Sequence, residues 1–581
     1  MHRLYCLIFY SGNLVLKLPD DTEFKITMNT DSKPWLNSYP SDVPATINAD
    51  KYQNINEMFE ETFRKNADKA AFINMGQSLT YKDLEEKSTA FAAYLQNSLK
   101  MKKGERIALM MPNLLQYPIT ILGALKAGLV VVNVNPLYTP RELQHQLRDS
   151  GATTIVAVTN FGNNLQKVIG KTSIKHVILT RIGDELAPYK RTLVNFAVKY
   201  IKKMVPKYNL PGAISLKRAL TQGKSLTLNP PVINSDDLAY LQYTGGTTGL
   251  AKGAMLTHRN IIANVLQVYG HFAPRTLLEN EHAVTPLPLY HIFANSVSMM
   301  LIMFFGGTNL LITNPRDLDS FVKDLSKFPF TMFFGLNTLF NGLNNHAAFK
   351  SLDFSNANFT IAGGMATQKH VADEWQKITG MPIVEGYGLT ECSPVVAGGI
   401  HTQQAFVPSI GVPLPSTELR IVDAQGNPLP TGEVGEIQIR GDQVMKGYWQ
   451  QDSETHEVMH EGGWISSGDI GRMDDQGFFY IEDRKKDMIL VSGFNVFPTE
   501  IEEVATLHPK IVEAAAVGVA DDVAGERVKL VVVTSSPITA EDIKKHCRVH
   551  LTGYKIPKVI EFREELPKTN VGKILRRELR D

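Results

Sequence analysis

The sequence predicts an α/β protein with a large N-terminal domain and a smaller α/β domain at its C-terminus. Three observations carry that expectation. At 581 residues the chain is longer than one hydrophobic core organises, so at least two domains are expected. From Arg106 to about Glu482, apolar runs of strand character alternate with amphipathic helical segments, the pattern of helices packed on sheets. Beyond Asp487 the alternation restarts on a smaller scale.

The first clear element is a helix opened by Thr139-Pro140-Arg141-Glu142. Thr139 caps it, Pro140 suits its first turn and Glu142 completes a capping box. Gly151 ends it, and Thr153 to Val158 then reads as a β-branched strand. Leu238-Ala239-Tyr240-Leu241 reads as another short strand. Val297 to Ile312 is apolar but is interrupted by Gly306, Gly307, Thr308 and Asn309. A bilayer span takes about 20 apolar residues, so a buried helix running into a strand is expected there. In the C-terminal unit, Thr499-Glu500-Ile501-Glu502 reads as a second capping box. Apolar runs Ala514 to Val519 and Val528 to Val533 follow, then a helix near Ile543 to Leu551. The charge cluster Asp483-Arg484-Lys485-Lys486-Asp487 lies between the two units, as a polar turn or as a hinge. The domains are therefore drawn at 33–485 and 486–581, with 1–32 an atypical extension. The opening MHRLYCLIFYSGN lacks a small-residue cleavage site, which argues against export, and Met28 is an alternative start.

Composition excludes several classes. Hydrophobic residues make up 43% and charged residues 20%, an ordinary globular balance. A formal charge of +1 argues against a nucleic-acid partner. From Ile543 onward there are 11 basic and five acidic residues, an excess that favours an anionic ligand or forms a solvated face. Cys6, Cys392 and Cys547 are far apart without metal-ligand spacing, which fits a reducing cytoplasm.

The segment Tyr243 to Gly253, YTGGTTGLAKG, carries the strongest chemical signal. Gly245, Gly246 and Gly249 let the backbone approach an anion, and successive N–H groups form a nest around phosphate oxygens. Thr244, Thr247 and Thr248 add hydroxyl donors and Lys252 adds charge. Read blandly, it is a flexible glycine-rich turn. It is not a Walker A loop, because Lys252 follows Ala251 and precedes Gly253.

Further motifs follow in order: Pro286 to His291 (PLPLYH), Tyr387-Gly388-Leu389-Thr390-Glu391, Ser467-Gly468-Asp469, Asp483 to Lys486, and Pro567 to Lys573 (PKTNVGK). Together with the loop they resemble the adenylate-forming superfamily of acyl-CoA synthetases, luciferases and peptide-synthetase adenylation domains. The likeness covers about Lys33 to the end and is nearest to bacterial long-chain fatty acid–CoA ligases. It implies a large multi-sheet N-terminal domain and a small mobile C-terminal one. It also implies a two-step reaction: a fatty carboxylate attacks the α-phosphate of ATP, and CoA then takes the acyl group from the acyl-adenylate. Positioning and charge stabilisation dominate such chemistry.

The resemblance assigns Tyr243 and Thr244 to Lys252 to the phosphates, with Thr390 beside them and Glu391 holding Mg²⁺. Tyr387 and Gly388 would face adenine with Gly363-Gly364, and Asp469 would bind the ribose with Arg484. Lys573 would act in adenylation, Lys486 would be the hinge, and the loop around Gly493 would line the pantetheine path. His291 would stand at the acyl entrance, where some relatives carry a gating tryptophan; Asn295 occupies that position. Met299 to Phe305 either lines an alkyl tunnel or packs the core. Without the motifs, Glu391 reads as a surface acid, Tyr387 and His291 as core residues and Lys573 as a solvated lysine.

Long-chain acids reside in membranes, so a peripheral place on the inner face of the cell membrane is expected. Val194, Ala197, Val198, Ile201 and Val205 share a helical face, with Lys199, Lys202 and Lys203 elsewhere, which reads as a membrane-lying or an ordinary surface helix. A ligase for medium-chain or aryl acids and a non-catalytic fatty-acid-binding membrane adaptor are the alternative readings. A homodimer is among the arrangements the sequence allows.

Overall fold

The computed structural model describes residues 6–10, 13–17, 23–27, 33–244, 251–277, 280–492, 494–521, 524–569 and 573–580. Met28, Gly245, Gly246, Thr247, Thr248, Gly249 and Gly493 lie outside them. The fold is α/β and multi-sheet, as expected. A seven-stranded sheet runs from Ile214–Ser215 through His176–Thr180, Thr154–Val158, Arg106–Met110 and Val130–Asn133 to Leu238–Thr244 and Lys252–Thr257. Its strands are parallel except for the last, which returns antiparallel. The strand Val130–Asn133 (VVVN) is buried throughout, as a central parallel strand covered on both faces must be.

A nine-stranded sheet has a parallel interior of Ile383–Gly388, Phe359–Gly363, Met332–Gly335, His282–Thr285, Thr308–Leu311 and Ala70–Asn74. A third, antiparallel sheet includes Trp464–Met473 and Phe479–Arg484. The last sheet is built from Ile489 onward; Ile511–Asp521 pairs antiparallel with Gly525–Thr534. Cys6–Tyr10, Asn13–Lys17 and Glu23–Thr27 form a small antiparallel sheet of their own.

Local chemistry explains the elements. The helix Pro140–Ser150 has the expected box: Glu142 N–H donates to Thr139 Oγ1, and Thr139 N–H to Glu142 Oε2 at 2.8 Å. Gly151 ends it in the left-handed region at φ 59°. The apolar segment from Ala294 forms wide π turns to Leu301, an α turn Ile302–Phe305 and the strand Thr308–Leu311, with Met299 to Met303 buried in the main core. No helix among the described residues is long and apolar enough to cross a membrane.

Three local expectations need correction. The helix near Thr499 begins at Pro498 and has no side-chain cap, because Thr499 N–H donates to Asp483 Oδ2 at 2.9 Å and Glu502 is drawn to Arg576. The C-terminal helix is Ala540–His550, starting earlier than Ile543 because Thr539 and Asp542 form a capping box. The third correction concerns the basic amphipathic segment, which is helical at Pro188–Phe196 and continues as a π turn at Ala197–Ile201. Val194, Ala197, Val198 and Val205 are half-buried rather than outermost. Asn195 tethers that side to the body, accepting from Gly183 N–H at 2.9 Å and donating to Asp184. The side chains left outside are Tyr189, Leu193, Phe196, Tyr200, Ile201 and Met204.

Candidate active site

A broad cleft opens where strands of the nine-stranded sheet end, the usual ligand position in open α/β sheets. Gly363 ends one of these strands and Gly388 ends its neighbour, while the Pro286 to His291 segment leaves a third. The glycines are sterically required. A Cβ on Gly388 would lie 2.0 Å from the Pro394 carbonyl oxygen, and Gly364 sits at φ 86°.

Tyr387 follows into the cleft and donates its hydroxyl to Asp469 Oδ2 at 2.5 Å. Burial and that carboxylate hold the phenol far above its ordinary range, so it stays a donor. Asp469 and Arg484 are cross-strand partners in the third sheet, which is why residues 15 apart in sequence meet at 3.3 Å. Asp469 is buried, and its N–H donates to Ser467 Oγ at 3.0 Å.

Thr390 and Glu391 stand on a short 3₁₀ turn after Leu389. Tyr448 donates its hydroxyl to Glu391 Oε1 at 2.7 Å, and Met445 N–H donates to the Glu391 carbonyl at 2.7 Å, so the carboxylate is fixed in place. Among the described residues no group of three or more His, Cys, Asp or Glu forms a metal cage. A single oriented carboxylate beside a threonine fits Mg²⁺, which takes one or two carboxylates and completes its shell with phosphates and water.

The described ends of the glycine-threonine segment, Thr244 and Lys252, belong to two antiparallel strands. Thr244 on one strand is the cross-strand partner of Lys252 on the next, so residues 245–251 connect two antiparallel strands instead of leading into a helix. This topology separates it from a Walker A loop, as the sequence implied. Tyr243 turns its side chain away, donating to Asp149 Oδ2 at 2.6 Å and packing over Gly253. Lys252 pairs with Glu454 and lies 5.1 Å from the Tyr448 ring centroid.

The opposite wall comes from the chain's end. Lys573 reaches back over Gly364, its Cε 3.6 Å from where a Cβ there would stand. Its backbone is held by reciprocal bonds with Thr569. Loss of solvation, aided by the Arg484 guanidinium, pushes the ammonium down to about 8. His291 is neutral at pH 7, because desolvation and the nearby Lys573 push it down to about 3. Lys486 also lines the cleft and is pushed down by desolvation and by Arg484. Three cations therefore converge on one volume beside Asp469 and Glu391, a field that favours an incoming anion.

An ion cluster fixes this wall. Arg576 donates to both Glu502 oxygens, at 2.9 and 2.7 Å to the nearest, and lies 3.7 Å from Asp483 and 3.5 Å from Asp487. Asp483 is buried, and it also receives the Thr499 N–H.

The structure thus gathers Thr244, Lys252, Gly364, Tyr387, Gly388, Thr390, Glu391, His291, Asp469, Arg484, Lys486 and Lys573 around one cleft. Asn295 is apart from it: fully buried, it donates to the Leu289 carbonyl at 3.2 Å and braces the Pro286 to His291 segment. Sequence reasoning missed Tyr448, Glu454, Arg576 and Glu385. Glu385 accepts from Thr367 N–H at 2.6 Å, and desolvation pushes its carboxyl up to about 7. The partners of Tyr448, Glu454 and Arg576 lie 57, 202 and 74 residues away and that of Glu385 18, so no local spacing announces them.

The family model described as AMP-binding enzyme matches residues 59–449, and its C-terminal domain model matches residues 500–573. A long-chain-fatty-acid–CoA ligase of Yersinia pestis is 56% identical over 550 residues, covering 94% of this chain and 98% of the relative. A protein of the same name from Haemophilus influenzae is 53% identical over 552 residues, with the same coverages. Among solved structures, the anthranilate CoA ligase AuaEII in complex with anthranoyl-AMP superposes with a TM-score of 0.81 at 22% identity, covering 92% of this chain and 98% of that one.

Proposed function

The chain belongs to the AMP-binding enzyme family, and from that premise we propose that it is an ATP-dependent long-chain fatty acid–CoA ligase. The observation that carries the reading is the convergence of Lys573, Lys486 and Arg484 on a cleft floored by Tyr387, Asp469 and Glu391. The relatives named above supply the substrate class.

In the first step a fatty carboxylate oxygen bonds to the α-phosphorus of ATP, and the bond to the β-phosphate bridging oxygen breaks to release pyrophosphate. Tyr387 and Gly364 face the adenine, and Asp469 accepts from the ribose hydroxyls while Arg484 steadies it. The hairpin from Thr244 to Lys252, including Gly245, Gly246, Thr247, Thr248 and Gly249, surrounds the outer phosphates. Tyr243 serves by anchoring the hairpin to Asp149. Thr390 would contact the phosphates and Glu391 would hold Mg²⁺, which when bound would screen the phosphate charge. Lys573 stabilises negative charge as the carboxylate meets the α-phosphate. His291, uncharged, borders the acyl entrance without competing for the carboxylate as a cation.

In the second step the CoA thiolate attacks the acyl carbonyl and AMP leaves. A rotation of residues 486–581 about Lys486 against 33–485 withdraws Lys573 and brings the loop around Gly493 to the pantetheine path. The enzyme works peripherally on the cytoplasmic face of the cell membrane, where its acyl substrate partitions.

AMP release measured with octanoate, palmitate, oleate and benzoate, each with and without CoA, tests the reading. CoA-dependent turnover fastest on palmitate or oleate is expected. Fastest turnover on benzoate or octanoate would replace the substrate class, and no AMP release on any acid would end the ligase reading.

A further inference from the structure

We propose that the outer face of the segment 188–204 is the surface by which the protein docks on an anionic phospholipid bilayer. The inference rests on the long-chain substrate proposed above and adds the site of contact. Among the described residues, six of the eighteen large apolar side chains left exposed fall within 189–204: Tyr189, Leu193, Phe196, Tyr200, Ile201 and Met204. Their exposures run from 50% to 70%. Tyr189, Leu193, Phe196 and Tyr200 follow one another at a spacing of three or four residues within the helix and its π turn, and Ile201 and Met204 lie at its end, so the six cluster on one segment and are not scattered points. Phe196 and Tyr200 touch each other, ring centroids 5.1 Å apart, while the body offers them no cover.

Charge selects the occupant. Residues 188–208 contain Lys190, Arg191, Lys199, Lys202, Lys203 and Lys207 and no acidic residue. A second copy of the chain seated on this face by a two-fold axis would bring these cations against their own kind. An anionic lipid surface neutralises them, and its headgroup region accepts aromatic and aliphatic side chains to a depth of about 5–10 Å. The segment is too short to span a bilayer and is tethered on its inner side by Asn195, as a surface-lying element requires.

The face also neighbours the acyl side of the cleft. Hydrogen bonds with Ser320 hold the Asp317 carboxyl below its usual range and the Lys202 ammonium adds to this, while burial pushes the Tyr290 hydroxyl, next to His291, upward against the opposing pull of Arg316. Docking here presents the acyl-side segment toward the lipid that holds its substrate.

Sedimentation of the full-length protein with vesicles tests this. Vesicles of phosphatidylglycerol with phosphatidylethanolamine are compared with neutral phosphatidylcholine. The wild type is expected to bind the anionic vesicles preferentially. The variant Leu193→Ser/Phe196→Ser/Tyr200→Ser is expected to bind at least about tenfold less. Lys199→Glu/Lys202→Glu/Lys203→Glu is expected to lose the anionic preference, at about fivefold or more per lysine. AMP release from octanoate in solution should be unchanged in both variants, while turnover of palmitate supplied in vesicles falls, which separates docking from misfolding. Equal vesicle binding by wild type and variants overturns the proposal, as does a wild type that binds no vesicles. A dimer that the serine variant dissolves, with vesicle binding intact, overturns it in favour of a second copy. Absence of AMP release from the wild type on every acid strikes the ligase reading alone, because vesicle binding is read independently of catalysis.

Discussion

The two walls of the cleft are held by different physics. Tyr387, Gly388, Asp469 and Arg484 sit on paired strands, so their spacing is set by backbone register across two sheets. Lys573 and Lys486 belong to the unit that Arg576 ties together through Glu502 and Asp487, and that unit meets the fixed wall chiefly at Asp483, which accepts from Thr499 N–H at 2.9 Å and lies 3.7 Å from Arg576. A wall fixed by a ladder of backbone hydrogen bonds stays in place. A wall that meets its neighbour through so few contacts over a single chain crossing can be released and reset, as the two geometries of the proposed reaction require.

The largest expected effect lies on the releasable side. Lys573→Ala should lower adenylation by about 10²–10³-fold, the usual cost of one preorganised donor, while sparing thioester formation from supplied acyl-adenylate. Pyrophosphate release and acyl-CoA formation, measured separately, decide it; equal loss of both would erase the distinction between the walls. Next comes Arg576→Met. A hydrogen bond to a charged group is worth about 1.5–3 kcal/mol, so adenylation should fall about 10–10²-fold if the cluster positions Lys573. Here too thioesterification should be nearly unaffected.

The pH profile sharpens the same contrast. Lys573 is useful when protonated, and its value is about 8. As pH rises through that value the cation is lost, so kcat/KM for ATP in adenylation should fall about tenfold per unit above it. Lys573→Arg should flatten this limb; an unchanged limb would assign it to another group. Lys486→Pro should block the rotation by fixing φ. Because the Lys486 ammonium also lines the cleft, Lys486→Ala is the control: a thioesterification defect in the proline variant alone identifies the pivot.

The smallest effect belongs to the fixed wall. Glu454 holds Lys252 in a partly exposed pair, worth about 0.2–1 kcal/mol. Glu454→Gln should free the lysine and lower KM for ATP by up to about fivefold, with kcat steady. A raised KM would show that Glu454 supports the phosphate site instead of competing with it.

Much of the fixed wall was legible in the sequence, because its motifs combine strand ends with turn glycines. The capping box at Thr139, the stop at Gly151 and the strand Thr154–Val158 appear where local chemistry puts them. The releasable wall was less legible. At Thr499 a capping pattern was outcompeted, since Asp483 and Arg576 claimed the groups that a cap would have used. Tyr448 and Glu391 are separated by 57 residues and Lys252 and Glu454 by 202, distances over which only sheet topology decides who meets whom. The segment 188–204 failed for a different reason. Periodicity revealed an amphipathic helix, but the tether at Asn195 and the π turn determined which flank looks outward.

The cross-strand pairing of Thr244 with Lys252 has a consequence for engineering. Both ends of the intervening segment are clamped by the sheet, whatever lies between them. A segment of equal length spliced between Thr244 and Lys252 would meet the same two strand ends in the same register.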